Sequence, residues 1–484
     1  MFTAVQEQAL KEYLLKSSYI YFGLTPQDVK RLAYAYAKKL NIKYPSSWNT
    51  HEEAGKDWFT NFMNRHKELS LRKAQNTSYN RILNFNKKNV ESFYNVLQKV
   101  LNDLKLGPGQ IFNMDETGLS TVQNSPKVIS RRGIQQVGVA ASGERGEMIT
   151  MAIAVNALGN TIPPMFIFRR AVLREYYYVN GPPGCIAAAN TSGWMQQQEF
   201  VQFINHFIDH SGCSKKRPML LLVDNHDSHM SIEALDIAAE NGLTLLSFPP
   251  HCTHRLQPLD RSVFGPLKNY FNKHMKAWIT NNPGKKVQIY TLPQIVDSIL
   301  PLALTPSNIK HGFECTGIYP FNPTTFSDAD FVTVEQSVEE NTEQNTEQNT
   351  AQNPIPSTSA ASMLPSYAYD PVHNQPAAFE EVSSSASSSI PQNATLSELS
   401  ASLEDIRELP KIQKHKRTRG RQPMPGNVIL TSSPERKRLR QLAVKRAERK
   451  QKLQKRQEKK ILEQSIPKKT TKKSKSATDH KKNK

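Results

Sequence analysis

The chain has 484 residues, room for two or three domains, and a formal net charge of +20. That charge sits at one end. Residues 411–484 hold 27 Lys and Arg against 5 Asp and Glu, while the rest of the chain holds 36 against 38, so the polyanion-attracting charge belongs to a tail and the body is near neutral. Four cysteines (Cys185, Cys213, Cys252, Cys315) without a CxxC pair exclude a disulfide framework and predict a reduced, intracellular setting; no leader pattern and no apolar run near membrane-spanning length occurs, so neither secretion nor a membrane partner is expected.

Residues 1–75 place apolar side chains at helical spacing in EQALKEYLLKSSYIYF, TPQDVKRLAYAYAKKL and GKDWFTNFMNRHKEL, which predicts a small all-α domain. In the third stretch Trp58, Phe59, Phe62 and Met63 form the inward stripe, leaving Lys56, Asn64 and Arg65 nearer the other side, followed by Arg72 and Lys73. With 12 basic and 7 acidic groups, this region fits a helix-turn-helix reader of double-stranded DNA, with Lys56, Asn64, Arg65, Arg72 and Lys73 as its candidate contacts. The competing reading is a plain helical bundle with scattered surface lysines.

Residues 76–107 form a connector in which FNKKNVESFYNVLQKVLNDL keeps Val90, Phe93, Val96 or Leu97, and Val100 or Leu101 in helical phase. The period then shortens. IFNMD, QQVGVAA, MITMAIAV and TIPPMFIF are β-prone runs split by Gly and Asn turns such as NALGN, and predict three antiparallel strands with Asp115 on the first. MQQQEFVQFINHFIDH reads as a helix, MLLLVD as a buried strand, SIEALDIAAENG as a helix stopped by Gly242, and LTLLSF as a further strand, parallel to its predecessor. The order βββαβαβα is that of an α/β ribonuclease-H-like core with a mixed sheet, expected over residues 108–325. From residue 326 to 433 the composition is that of a disordered low-complexity linker, with NTEQNTEQNTAQN and SSSASSSIPQNATLS lacking core-forming residues. Residues 434–484 form a basic tail that reads as disordered or as a helix formed on nucleic acid; its leucines keep no heptad.

Three carboxylates suggest chemistry. Asp224 closes the apolar run of LLLVD, where α/β sheets present functional groups; Asp115 stands in IFNMDETG beside Glu116; and Asp260 follows the Pro-rich turn PPHCTHRLQPLD. Alternation along a strand sends Asp115 and Glu116 to opposite faces, so only one of them joins such a site. Each aspartate alone reads as a turn or helix cap. Converging, they suit two hard divalent cations, Mg²⁺ or Mn²⁺, clamping an in-line phosphoryl displacement. Asn225, His229, His254 and Gln257 are candidates to orient the ligands, with His229 equally placed to cap the helix at Ser231. His251-Cys252-x-His254 lacks a second ligand pair for zinc, and GPPG and SGERG lack the Lys-Ser/Thr of a phosphate loop.

The segments VDN with His229 downstream, PPHCTHRLQPLD before FGPLK, and GFECTGIYPFNP resemble DDE-type transposases of the pogo/Tigger group over roughly residues 1–325. AGKDWFTNFMNRHKELSLR likewise resembles the second helix-turn-helix of centromere protein B and its transposase relatives. The resemblance implies a ribonuclease-H-like fold, an Asp115–Asp224–Asp260 triad, two Mg²⁺ or Mn²⁺ ions, and a DNA endonuclease and strand transferase; a homodimer assembled on DNA is the expected working form, and the basic tail, read as an import signal, predicts a nuclear setting. A host protein derived from a transposase, binding chromatin or regulating transcription without catalysis, is the alternative. In that family a first helix-turn-helix usually precedes this one, and FTAVQEQ resembles the joint between the two. One reader in place of two is expected to lower affinity and specificity for a transposon end.

Overall fold

A computed structural model describes residues 1–122, 129–134, 136, 146–331, 395–410 and 427–465. These residues divide into two compact units, one drawn from residues 1–75 and 333–414, the other from 76–332 and 415–484.

The first unit opens with α1 (Ala4–Tyr19), α2 (Pro26–Lys39), α3 (Ser47–His51) and α4 (Lys56–Arg65). Thr3 and Thr25 start the two longer helices through capping boxes with Gln6 and Asp28, and Pro26 takes the first turn, where its missing N–H costs nothing. Leu10, Tyr13, Leu32, Tyr36, Trp48 and Phe62 make the core; Trp58 and Met63 pack on it partly buried, whereas Phe59 stays outside it.

The second unit begins with α5 (Tyr79–Asn84) and α6 (Lys87–Leu104), capped by Asn86. Val90, Phe93, Leu97 and Val100 of α6 are buried, which resolves both positions that the spacing left open. The six-stranded sheet runs in the order β4-β3-β2-β1-β5-β6, built from β1 (Ile111–Ser120), β2 (Met148–Asn156), β3 (Thr161–Arg169), β4 (Ile186–Asn190), β5 (Met219–Val223) and β6 (Leu243–Ser247). β2 pairs antiparallel with both β1 and β3, and β5 and β6 extend the sheet parallel to β1. This is the ribonuclease-H-like order, with β4 added parallel to β3 at the far edge. The NALGN turn joins β2 to β3, with Gly159 at φ +102°, a conformation other residues rarely adopt. QQVGVAA lies, apart from Gln136, outside the described residues.

Helices cover both faces. Ile111 and Leu119 of β1 and Leu220 and Leu222 of β5 point into a core shared with α6, α10 (Phe264–Asn281), α11 (Thr291–Ala303) and α12 (Pro306–Cys315). Phe112 and Met114 of β1 and Met219, Leu221 and Val223 of β5 point into a second core with α7 (Gln197–Ser211) and α8 (Ile232–Glu240). The short α9 (Thr253–Leu256) leads into a single π-helical turn, Leu259–Val263, that continues as α10.

Two later segments add to these units. α13 (Leu396–Ile406), inside the stretch whose composition reads as linker, buries Leu399 and Leu403 in the first unit, while Glu404 and Asp405 pair with Lys16 and Lys39. Residues 428–431 lie along β6 in the second unit: the Leu430 N–H donates to Leu245 O at 2.9 Å and the Ser247 N–H to Val428 O at 3.1 Å. Leu430 is buried, and the basic α14 (Ser433–Ser465) then packs its first turns on α8 through buried Leu439 and through Arg436 and Arg440, both on Asp236.

Candidate active site

Strand parity and register bring two of the three aspartates together. Asp115 alternates in phase with Ile111 and Leu119, and Asp224 follows Leu220 and Leu222 in phase. The parallel ladder pairs Ile111 with Leu220, Phe112 with Leu221 and Asn113 with Leu222. The same register continued by two residues sets Asp115 beside Asp224. Asp260 sits in the π-helical turn whose Leu259 and Val263 are buried in the core on that same face.

Electrostatics reflect the convergence. Burial pushes the Asp115 carboxyl well above the usual carboxylate range, and the negative charges of Glu116, Asp260 and Asp224 push it further. Asp260 is also raised by dehydration, against the pull of Lys268 and Arg81, with Asp224 adding to the rise.

His229 organises the other flank. Its fully buried ring packs against Phe200, with centroids 4.6 Å apart. Nδ1 meets Asp224 Oδ1 at 2.8 Å and Nε2 meets Glu116 Oε1 at 3.1 Å. Burial alone would lower its pKa, but the two carboxylates reverse that and hold it well above the ordinary value, so the ring is an imidazolium between them. Dehydration acts to raise the Asp224 carboxyl, yet His229 and the His226 N–H, which donates to Oδ1 at 3.0 Å, bring it below the usual range. Glu116 thus serves the His229 side, and Asp115 is left to face Asp260.

The remaining candidates fall as follows. Asn225 is half-buried next to Asp224. His254 lies in α9 with its ring 5.9 Å from that of Phe85; burial, then Arg81 and Arg255, lower its pKa to about 4, so it is neutral. Gln257 is buried, and neither atom of its amide has a hydrogen-bond partner among the described residues, so no hydrogen bond ties it to Asp260. In the first unit Lys56, Asn64, Arg72 and Lys73 are exposed. Arg65 is held by Glu7 in a two-pronged pair of 2.7 and 2.9 Å, which offsets the charge it would offer a phosphate. Asn113, which motif reading passed over, is fully buried and hydrogen-bonded to the segments of all three aspartates.

Three carboxylates, of which Asp115 is raised by the charges of the other two, fit a hard divalent cation in donor type and charge. Among the described residues, however, no three His, Cys, Asp or Glu side chains are arranged to hold one ion. His229 occupies Asp224, so a cation and the imidazolium compete for the same carboxylate.

Comparison with known proteins matches residues 146–313 to the DDE superfamily endonuclease family, a span that includes Asp224 and Asp260 and begins after Asp115. A human protein, pogo transposable element with ZNF domain, is 22% identical over 190 residues, 39% of this chain and 13% of that protein. A Cochliobolus lunatus protein named MFS-type transporter clz9 is 29% identical over 219 residues, 44% of this chain and 23% of that protein. The matches thus span less than a quarter of either curated relative. Among the described residues no helix is long and apolar enough to cross a membrane. Of solved structures, the Mos1 strand transfer complex aligns at TM-score 0.37 and 13% identity over 64% of this chain and 74% of that one. The Mos1 mariner paired end complex with Mn aligns at 0.32 and 13% over 58% and 76%.

Proposed function

We propose that this chain, which matches the DDE superfamily endonuclease family and resembles DDE-type transposases of the pogo/Tigger group, is a DNA-binding, divalent-metal-dependent endonuclease and strand transferase. What supports this reading is the β1–β5 register, which continued leads Asp115 towards Asp224 on the face where Leu259 and Val263 of the Asp260 turn are buried, together with the rise at Asp115 to which the charges of Asp260 and Asp224 add. Two Mg²⁺ or Mn²⁺ ions held there would supply an activated water or 3′-hydroxyl and stabilise the departing oxygen. The chain's own groups do the rest. Asp115 and Asp260 would offer carboxylates on one side, His229 holds Asp224 and Glu116, and the β1–β5 register, continued past Asn113 and Leu222, would bring Asp115 beside Asp224.

Double-stranded DNA is the proposed partner, and a homodimer assembled on it the proposed working form. The amino-terminal helices would read DNA as a helix-turn-helix, with Lys56, Asn64, Arg72 and Lys73 as exposed contacts and Arg65 contributing once freed from Glu7. α14 carries 13 Lys and Arg against 4 Asp and Glu, a surface suited to phosphate backbones and to a nuclear protein.

A second reading, a chromatin-binding protein without catalysis, is favoured by the hold of His229 on Asp224 and by the lack of a three-ligand group among the described residues. Plasmid nicking in Mn²⁺ separates the two. On the first reading the wild type nicks and Asp224→Ala and Asp260→Ala do not; on the second, a folded wild type binds DNA and leaves it intact.

A further inference from the structure

Asn113 lies two residues before Asp115 on β1, fully buried. Its Nδ2 donates to the Leu222 carbonyl at 3.1 Å, two residues before Asp224, and to the Met114 carbonyl at 3.2 Å, next to Asp115. Its Oδ1 accepts from the Leu259 N–H at 3.1 Å, the residue preceding Asp260. One carboxamide thereby touches all three aspartate-bearing segments. We propose that Asn113 is a positioning residue that sets the spacing of the three carboxylates and with it the divalent-metal affinity of the site; this rests on the functional reading above.

The three contacts do not carry equal weight. β1 and β5 are already joined by their ladder, in which Asn113 stands opposite Leu222, so the donation to Leu222 reinforces a fixed pair. The turn Leu259–Val263 has no ladder to the sheet. Ser262 Oγ ties it to Asn308 O of α12 at 2.7 Å and Leu259 and Val263 pack in the core, while the hydrogen bond from the Leu259 N–H to Asn113 links the residue before Asp260 directly to the strand that carries Asp115. Only a carboxamide of this length offers two donors and an acceptor at once: aspartate lacks the donors, and leucine lacks both. In a buried setting such a bond is directional and strong. Metal sites respond to shifts well under an ångström, so a turn released from its anchor loses the ligand spacing before it loses its fold.

A merely structural asparagine would behave differently, and Asn156 supplies the comparison. It too is buried, but its bonds go to Gly109 O at 3.3 Å and from the Asn160 N–H at 2.8 Å, to none of the aspartate-bearing segments. The experiment measures Mn²⁺ binding to the full chain by the electron paramagnetic resonance signal of free Mn²⁺, per folded molecule as judged by circular dichroism. Wild type, Asn113→Leu, Asn113→Ser, Asn156→Ala and Asp224→Asn are compared, and the serine variant serves if the leucine variant does not fold. Expected is an affinity loss of roughly 10–100-fold at Asn113, the scale seen when groups that orient metal ligands are removed. Asn156→Ala should lower the melting temperature and leave Mn²⁺ affinity as in the wild type. Wild-type affinity in the Asn113 variants, or an equal loss in Asn156→Ala, overturns the proposal. Wild-type affinity in Asp224→Asn overturns the carboxylate site itself and the proposal with it, a pattern distinct from the other two.

Discussion

Replacing His229 by Asn removes a buried cation from between two carboxylates. At effective dielectric constants of about 20, a unit pair near 4 Å gains roughly 4 kcal/mol of attraction, much of which goes to offset dehydration of the ring. What counts is the state left behind: Asp224 and Glu116 lose their shared counter-charge beside Asp115, which already feels both. Breaking a buried ion pair costs about 3–5 kcal/mol, but the side chains of Asp224 and Glu116 stay 31% and 17% exposed, so water recovers part and about 2–3 kcal/mol is expected. Urea denaturation in chelated, metal-free buffer measures it. The pH dependence has a fixed sign. Because the folded-state pKa of His229 is raised above 6.5, its contribution is complete below 6.5 and is lost as pH rises through the folded value. The gap between wild type and His229→Asn should therefore be widest in mildly acidic buffer and close under alkaline conditions. Equal stability at neutral pH, or a gap that widens as pH rises, would refute the assignment of His229 as an imidazolium bridge.

Gly312 on α12 faces the Asp260 turn so closely that an added Cβ would stand 2.7 Å from Pro258 O and closer still to Ser262 Oγ; Gly312→Ala should cost about 1–3 kcal/mol, and an unchanged melting temperature contradicts this. Leu430→Ala removes the buried anchor of the segment that lies along β6, a loss of about 2–4 kcal/mol that should speed hydrogen exchange at the Ser247 amide; unchanged exchange there would show that the segment does not depend on this side chain. His254, lowered from 6.5 to about 4, favours the folded state fully above 6.5 and progressively less as pH falls towards 4. His254→Leu should consequently lose less stability across that interval than the wild type, and parallel titration curves would count against a buried neutral ring.

Much of the core was readable because its signals are local. The stripe of α6, the three antiparallel runs, the NALGN turn and the apolar strand ending at Asp224 each announce themselves within a dozen residues. Parity sends Asp115 and Glu116 to opposite faces, and the choice of Asp115 between them comes from the family resemblance. What escaped depends on distant partners. Asn113 reads as a poor strand former in IFNMD, and its worth appears only when Leu222 and Leu259 arrive beside it. Nothing near Glu116 tells of His229, 113 positions away. β4 is mostly alanine, IAAAN, with one β-branched residue, and so lacked a strand signature. α13 and residues 428–431 were hidden by averaging: Leu399, Leu403 and Leu430 are few among polar neighbours, yet each finds a core to enter. Arg65 looked available for DNA until Glu7 of α1 folded against it.

The most direct test of the central claim is anomalous diffraction from crystals of the protein soaked in Mn²⁺. The account predicts manganese peaks between Asp115, Asp224 and Asp260, with the Asp224 carboxylate turned from His229 towards the ion. Manganese bound elsewhere, or none at these three carboxylates in a well-ordered core, would contradict it.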